Sequence, residues 1–340
     1  MACITDDMTL ADVAQLPGMR PLADYLMECR PTAREQIYSQ PFSLLRSEQG
    51  DAIADAVIDG LERLVELTQT DTRTVREIWT AREADEVPGR SHTKLVFFPG
   101  KPYAPFVMVA PGGGYNSVCS YLEGFPTAAR LSRAGYNAFV LSYRTREHAA
   151  PPAPLEDLAQ ALRHVLDCAQ ELCISPSYAL MGFSAGAHLA GLMACKSCGW
   201  GAFGLPRPKA AILNYPVLDL RTIAVPNAHL FAAEMIDVMF GQQPSQSQLA
   251  HWSVVDNAGP GFPPTYLWQC EDDDVAPIKN LELMDARLSE LEIPHVAKTF
   301  ATGGHGLVKP HGADADHWMD GVLSFLNDSL GWSCPQETRG

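Results

Sequence analysis

The most chemically suggestive residue of the chain is Ser184, set in Gly182-Phe183-Ser184-Ala185-Gly186. A serine between two glycines marks a sharp turn in which larger flanking side chains would collide with neighbouring elements. Such a turn holds the hydroxyl out of the fold. A hydroxyl is a weak nucleophile until a base takes its proton. Gly303-Gly304-His305-Gly306 offers that base in a flexible setting. His311 and His317 are the fallbacks, and His188, one helical turn after Ser184, is expected to pack. An imidazole base needs an acid to fix its tautomer and stabilise its cation. Four acids stand together, Glu271-Asp272-Asp273-Asp274, and only one carboxylate can meet the ring. The order serine, acid, histidine is that of strand-turn-helix hydrolases.

The chemistry of a Ser-His-acid set is acyl transfer through a covalent acyl-enzyme. Its tetrahedral intermediate needs preorganised N–H donors. The amide of Ala185, next to the nucleophile, is one. Pro111-Gly112-Gly113-Gly114-Tyr115 can supply others through Gly113 and Gly114. The neighbours Tyr115 and Phe183 are candidate substrate contacts. The glycine-rich loop has neither the GxGxxG spacing nor the lysine of a phosphate cradle, which argues against nucleotide binding. The mechanism needs no metal and no cofactor. Cys195 and Cys198 form an isolated CxxC, read as two small side chains near a helix end.

These residues need elements to hold them. Short apolar runs predict strands at Val75–Thr80, Leu95–Phe98, Phe106–Ala110, Ala138–Tyr143, Tyr178–Gly182, Ala211–Asn214, Thr265–Gln269 and His295–Phe300. Helical spacing predicts helices over Pro126–Arg133, Leu155–Leu172, Ala185–Lys196, Ile278–Leu291 and Ala315–Leu326. Strands alternating with helices imply an α/β fold, a mostly parallel eight-stranded sheet covered on both faces, with an antiparallel edge from the first two strands. Ser184 then follows one strand, His305 the last strand, and the acidic run the strand before it.

Residues 1–72 read as a helical extension packed on a main domain of 73–340. Thr9 caps a short helix ended by Pro17, and Ile53, Val57, Leu61, Leu64 and Thr68 form one buried stripe. Residues 221–262 are long for a connection. Their apolar helical piece, Ala228–Phe240, is either a cap over the site or a helix packed on the rim.

With 340 residues, 46% of them hydrophobic and 19% charged, the composition is that of a globular chain with a large core. A net charge of −15 argues against nucleic acid and anionic membrane surfaces. The N-terminus carries Asp6 and Asp7 where a signal peptide would be basic, and no apolar run reaches the roughly 18 residues of a membrane span. With nine cysteines, an odd number, this reads as a cytoplasmic protein with free thiols.

Taken together, the motifs resemble those of the α/β-hydrolase superfamily, in particular its acetyl-esterase and feruloyl-esterase-like branch related to acetylxylan esterases. The similar stretches are PGGGY (Pro111–Tyr115), EGFP (Glu123–Pro126), GYNAFVLSYR (Gly135–Arg144), PPAPLEDLAQAL (Pro151–Leu162), GFSAGAHLA (Gly182–Ala190), PPTYLWQCEDDDVAP (Pro263–Pro277) and GGHG (Gly303–Gly306). They span residues 94 to 330, and the first 70 or so fall outside them. The resemblance selects Asp273 as the acid, four residues before Pro277 in a D-x-V-x-P pattern, with Asp272 second. Two positions depart from related patterns: Pro111 stands where lipase-like members carry histidine, and Cys270 where glycine is common. The implied activity is cleavage of small acyl esters, acetyl groups on sugars among them. Without an export signal, acetylated oligosaccharide is expected over polymeric xylan. An amide or formamide hydrolase with the same triad is the second reading, though no propeller-sized region precedes the domain. A non-catalytic binding module is the third.

Overall fold

A computed structural model describes residues 3–241, 243–309 and 312–331. Eight strands form one sheet: β1 Val75–Arg76, β2 Lys94–Phe98, β3 Phe106–Ala110, β4 Asn137–Ser142, β5 Tyr178–Phe183, β6 Ala210–Asn214, β7 Thr265–Cys270 and β8 His295–Phe300. Their spatial order is β1-β2-β4-β3-β5-β6-β7-β8. The β1–β2 and β2–β4 pairs are antiparallel and every other pair is parallel. Central strands β3 to β7 are buried along their whole length, as expected for strands covered on both faces.

The alternation of side chains along each strand divides the core in two. Phe97, Phe106, Met108, Phe139 and Leu180 face one layer, which contains the helices Ala153–Asp167 and Ala185–Ala194. Phe98, Val107, Val109, Val140 and Met181 face the other, with Phe125–Arg133 and Trp318–Leu330. The N-terminal helices join this second layer through Leu10, Val13, Phe42, Val57, Leu61 and Leu64. The longest of them, Asp51–Thr70, crosses Phe125–Arg133 at Gly60.

Most elements lie where hydrophobic spacing puts them. The strand expected over Val75–Thr80 is a correction, because only Val75–Arg76 pairs in the sheet. Thr80 instead caps the helix Ala81–Glu86 in a reciprocal box with Glu83, and that local hydrogen bonding ends the strand. The helix expected over Ala315–Leu326 is broken near His317 into Ala313–Asp316 and Trp318–Leu330. Helices Pro31–Tyr38 and Phe42–Gln49 fall within the helical extension, and Gln246–Trp252 is a short further helix in the segment 221–262.

Gly60 gives a test of the extension's packing. A Cβ there would sit 2.6 Å from the Pro126 nitrogen and 2.8 Å from its Cα. Alanine gains about 1 kcal/mol of helix propensity, whereas overpacking against backbone costs about 1–3 kcal/mol. The clash should win. Gly60→Ala is expected to lower the urea midpoint without changing the slope. A rise in midpoint would show that the two helices do not meet here.

Candidate active site

The Ser184 turn is built by close contact. Ser184 has φ 52° and ψ −120°, a conformation that costs a side-chain-bearing residue about 1–3 kcal/mol. A Cβ on Gly182 would lie 2.2 Å from the Gly186 carbonyl oxygen, and one on Gly186 would lie 2.1 Å from that of Ala110. Only glycine fits either position. The turn is fastened from β6: the Ser184 amide donates to the Asn214 carbonyl (3.0 Å), and Asn214 Nδ2 donates to the Gly182 carbonyl (2.8 Å). Trp268 Nε1 in turn donates to Asn214 Oδ1 (2.7 Å).

Against this turn the loops after β7 and β8 converge. His305 Nε2 and Ser184 Oγ are 2.8 Å apart, and His305 Nδ1 lies 2.8 Å from Asp273 Oδ2. Asp273 is fully buried as a side chain. Its other oxygen accepts from the amides of Val275 (3.0 Å) and Ala276 (2.9 Å). An ionised Asp273 therefore fixes the His305 proton on Nδ1 and leaves Nε2 to accept from the serine hydroxyl.

Geometry sorts the acidic run that chemistry alone left open. Glu271 is exposed. Asp272 Oδ1 accepts from the Gly304 amide (2.7 Å), tying the acid loop to the histidine loop. Asp274 pairs with Lys309 (3.1 Å), and that hydrogen bond holds its carboxyl below its ordinary range. Of the fallback bases, His317 is exposed and pairs with Asp320, while His311 lies outside the described residues.

The PGGGY loop runs beside Ser184. A Cβ on Gly112 would meet Ser184 Cβ at 2.9 Å. Gly113, Gly114 and Tyr115 follow with φ of 127°, 62° and 57°. The Gly112 amide donates to Glu123 Oε2, while among the described residues no hydrogen bond engages the amides of Gly113 and Gly114. Ala185 is the first residue of its helix, so its amide has no intrahelical acceptor.

Two expected substrate contacts do not have open side chains. Tyr115 is 3% exposed and Phe183 2%. Phe183 packs between Tyr215 and Trp318. The Tyr115 hydroxyl is 2.8 Å from His188 Nδ1, and His188 Nε2 is 2.7 Å from the Trp252 carbonyl. Since the carbonyl can only accept, His188 carries its proton on Nε2 and Tyr115 donates to Nδ1. His188 thus packs, as its helical position implied, and supports the loop from below.

Sequence reasoning overlooked Glu123 and Tyr215. Tyr215 donates to Glu123 Oε1 (2.8 Å) and packs edge-on against the His305 ring at 5.0 Å. Burial raises the Glu123 carboxyl above its ordinary range. Glu123 lies in the EGFP stretch, but nothing in its spacing ties it to Gly112 and Tyr215, which only the fold brings near.

The segment 221–262 places its helix Leu230–Phe240 over the loop. Asn116 Nδ2 donates to Glu234 Oε2 (3.3 Å), and a Cβ on Gly114 would lie 3.6 Å from the Phe231 carbonyl oxygen. Leu230 and Phe231 are 67% and 62% exposed at the first turn of that helix. Cys195 and Cys198 are both free, with their thiols directed at the carbonyls of Gly191 and Leu192. Among the described residues no cluster of His, Cys, Asp and Glu could hold a metal ion, and no helix is long and apolar enough to cross a membrane.

Residues 98–288 match the model of the BD-FAE family. The chain belongs to that family, within the acetyl- and feruloyl-esterase branch of the α/β-hydrolases. It is 32% identical over 229 residues to endo-1,4-beta-xylanase B of Butyrivibrio fibrisolvens, covering 64% of this chain and 35% of that protein. It is 34% identical over 127 residues to the acetylxylan esterase of Xylanibacter ruminicola, covering 37% of this chain and 25% of that enzyme. The matches thus span about a third and a quarter of those relatives. Among solved structures, an acetyl ester-xyloside bifunctional hydrolase from Caldicellulosiruptor lactoaceticus superposes with a TM-score of 0.63 at 26% identity, covering 75% of this chain and 95% of that one. A bacterial heroin esterase, at 23% identity with a TM-score of 0.60 over 70% of this chain and 80% of its own, shares the fold.

Burial of His188 has a consequence for stability. It holds the imidazole's pKa down at about 4, against about 6.5 in an unfolded chain. Below pH 6.5 the unfolded chain takes up a proton that the native state refuses, so stability is lost as pH falls from about 6.5 towards 4. Fully developed, that loss is on the order of 3 kcal/mol. Urea midpoints of wild type and His188→Gln across this window should show a shallower pH slope in the variant. Equal slopes would mean that His188 is protonated in the native protein.

Proposed function

We propose that this chain is a serine carboxylic-ester hydrolase that removes short acyl groups, acetyl foremost, from small carbohydrate esters. The observation that carries the reading is the continuous line Ser184–His305–Asp273, both links 2.8 Å, on a strained turn. In it, Ser184 Oγ attacks the ester carbonyl while His305 Nε2 takes its proton. Asp273 holds the imidazolium, and the amides of Gly113, Gly114 and Ala185 receive the oxyanion. His305 then returns the proton to the leaving alcohol. Water, deprotonated by the same imidazole, releases the acyl group. No metal or cofactor enters the cycle.

The sugar part of the reading draws on the xylan-related relatives. The ester cleavage of the acetylxylan esterase is carried over and the glycoside hydrolysis of the xylanase is not, because glycoside hydrolysis calls for a pair of carboxylates flanking the bond. Here Asp273 has no exposed side-chain surface and is committed to His305, and Glu123 is engaged by the Gly112 amide and the Tyr215 hydroxyl. The exposed ring of Phe231, on the helix over Gly114, is assigned to the alcohol side of the site, where an aromatic face can stack on a pyranose. A cytoplasmic location and acetylated oligosaccharide as the physiological substrate belong to the same reading.

Hydrolysis of p-nitrophenyl acetate, butyrate and octanoate tests it, with release of acetate from acetylated xylo-oligosaccharides alongside. Ser184→Ala should lower kcat by about 10⁴-fold or more, and Asp273→Asn, which allows the wrong tautomer, by about 10⁴-fold. A wild type inert on every ester but active on an amide or formamide would move the bond cleaved and keep the machinery. Phe231→Ala should raise KM for the acetylated oligosaccharide by about 2- to 10-fold, the worth of one ring contact. It should leave turnover of ethyl acetate, whose alcohol carries no ring to stack, unchanged. An equal effect on both substrates would remove Phe231 from the sugar site.

A further inference from the structure

The loop assigned to the oxyanion is held in a conformation it would not keep alone. Gly113, Gly114 and Tyr115 have consecutive positive φ, and Tyr115 bears a side chain that disfavours it. Within the loop the Gly113 carbonyl accepts from the amides of Asn116 (3.0 Å) and Ser117 (2.9 Å); the ties at Tyr115, Val118 and Tyr121 come from outside it. The Tyr115 carbonyl accepts from the Arg146 amide (2.8 Å), and Arg146 itself has φ 55°. Val118 exchanges two backbone hydrogen bonds with Glu28, of 3.2 and 2.8 Å, in an isolated antiparallel bridge. The Tyr121 amide donates to the Leu26 carbonyl (2.8 Å).

Glu28 connects these ties. Its carboxyl is turned inward, the residue being 7% exposed. There it accepts from Thr145 Oγ1 (2.7 Å) and pairs with the Arg146 guanidinium. One residue thus holds the far end of the loop by its backbone and the Thr145–Arg146 turn, which holds Tyr115, by its side chain. Arg146 Nη1 is buried with no hydrogen-bond partner among the described residues, so the pair that Nη2 makes with Glu28 is the guanidinium's main compensation. Glu28 and Leu26 precede the segment that matches the family.

We infer that Leu26–Glu28 is a positioning strap for the oxyanion loop, with Glu28 as its anchor. The N-terminal region is then part of the catalytic apparatus as well as of the core. Glu28 touches no reacting atom; it acts through Gly113 and Gly114. The inference rests on the proposed ester-cleaving reading. Its predicted signature is specific: loosening the strap should weaken tetrahedral states, which use the oxyanion donors, more than ground-state binding.

The test compares wild type, Glu28→Gln and Thr145→Val on p-nitrophenyl acetate, with phenylboronic acid as the tetrahedral probe and thermal midpoints as the check on folding. Thr145→Val removes one hydrogen bond without unpairing Arg146, so it remains informative if Glu28→Gln does not fold. A misplaced donor costs about 10- to 100-fold. Glu28→Gln should lower kcat by that factor with KM nearly unchanged, and weaken boronate inhibition in proportion. Thr145→Val should move both in the same direction by less. Unchanged kcat and boronate affinity in folded variants of an active wild type overturn the strap alone. A loss of kcat with undiminished boronate affinity does the same. A wild type that cleaves no ester overturns the catalytic reading and the strap with it.

Discussion

Everything in this site hangs on the close approach between the Ser184 turn and the strand ends around it. Gly182 and Gly186 have no room for a Cβ, and the contacts that forbid one are backbone carbonyls. Flexible side chains could yield to a Cβ, but a fully buried parallel sheet cannot. The strain at Ser184 is therefore sustained by the whole β3–β5–β6 register. Asn214, reaching from β6 to Gly182 and receiving Trp268 from β7, carries that constraint across three strands.

The same constraint links the two halves of the chemistry. Because Gly186 rests on the carbonyls of Ala110 and Pro111, the glycine loop must start beside Ser184, whatever its later course. Its later course is set elsewhere: by Glu123 at Gly112, by His188 under Tyr115, and by Arg146 and Glu28 at its far end. Each of these holds an atom of the loop that water would otherwise satisfy. Among the described residues the amides of Gly113 and Gly114 are left unspent, while the Gly112 amide and the carbonyls of Gly112, Gly113 and Tyr115 are engaged. Preorganisation here is a matter of where hydrogen bonds are directed and where they are withheld.

The acid loop shows how similar residues part by environment. Asp272, Asp273 and Asp274 are neighbours with the same side chain. One caps the Gly304 amide, one is buried against His305 and two amides, and one meets Lys309 at the surface. The tight turn after β7 points successive side chains in different directions, so only one can face the core.

How much of this was legible before the fold was known depends on the range of the interaction. The strands, the main helices and the GxSxG turn were readable because hydrophobic period and glycine spacing act over a few residues. Thr80 and the short Val75–Arg76 strand were misread because a local cap outcompeted an apolar run. Ser184, His305 and the acidic run stood out because each follows a strand, and parallel strands deliver their following loops to one edge. Which aspartate turns inward needed the resemblance first and the tertiary structure for its geometry. Tyr115 and Phe183, read as substrate contacts by adjacency, proved to be buried supports. Nothing local tied Glu123, Tyr215, Asn214 and Glu28 to their partners, which lie 11 to 118 residues away. The sequence alone determined the chemistry on offer and the strand ends that carry it, because both are written in local pattern. Only the tertiary structure decided how that chemistry is held, because polar groups are satisfied by whatever the packed chain brings within 3 Å, and local pattern does not encode distance across a fold.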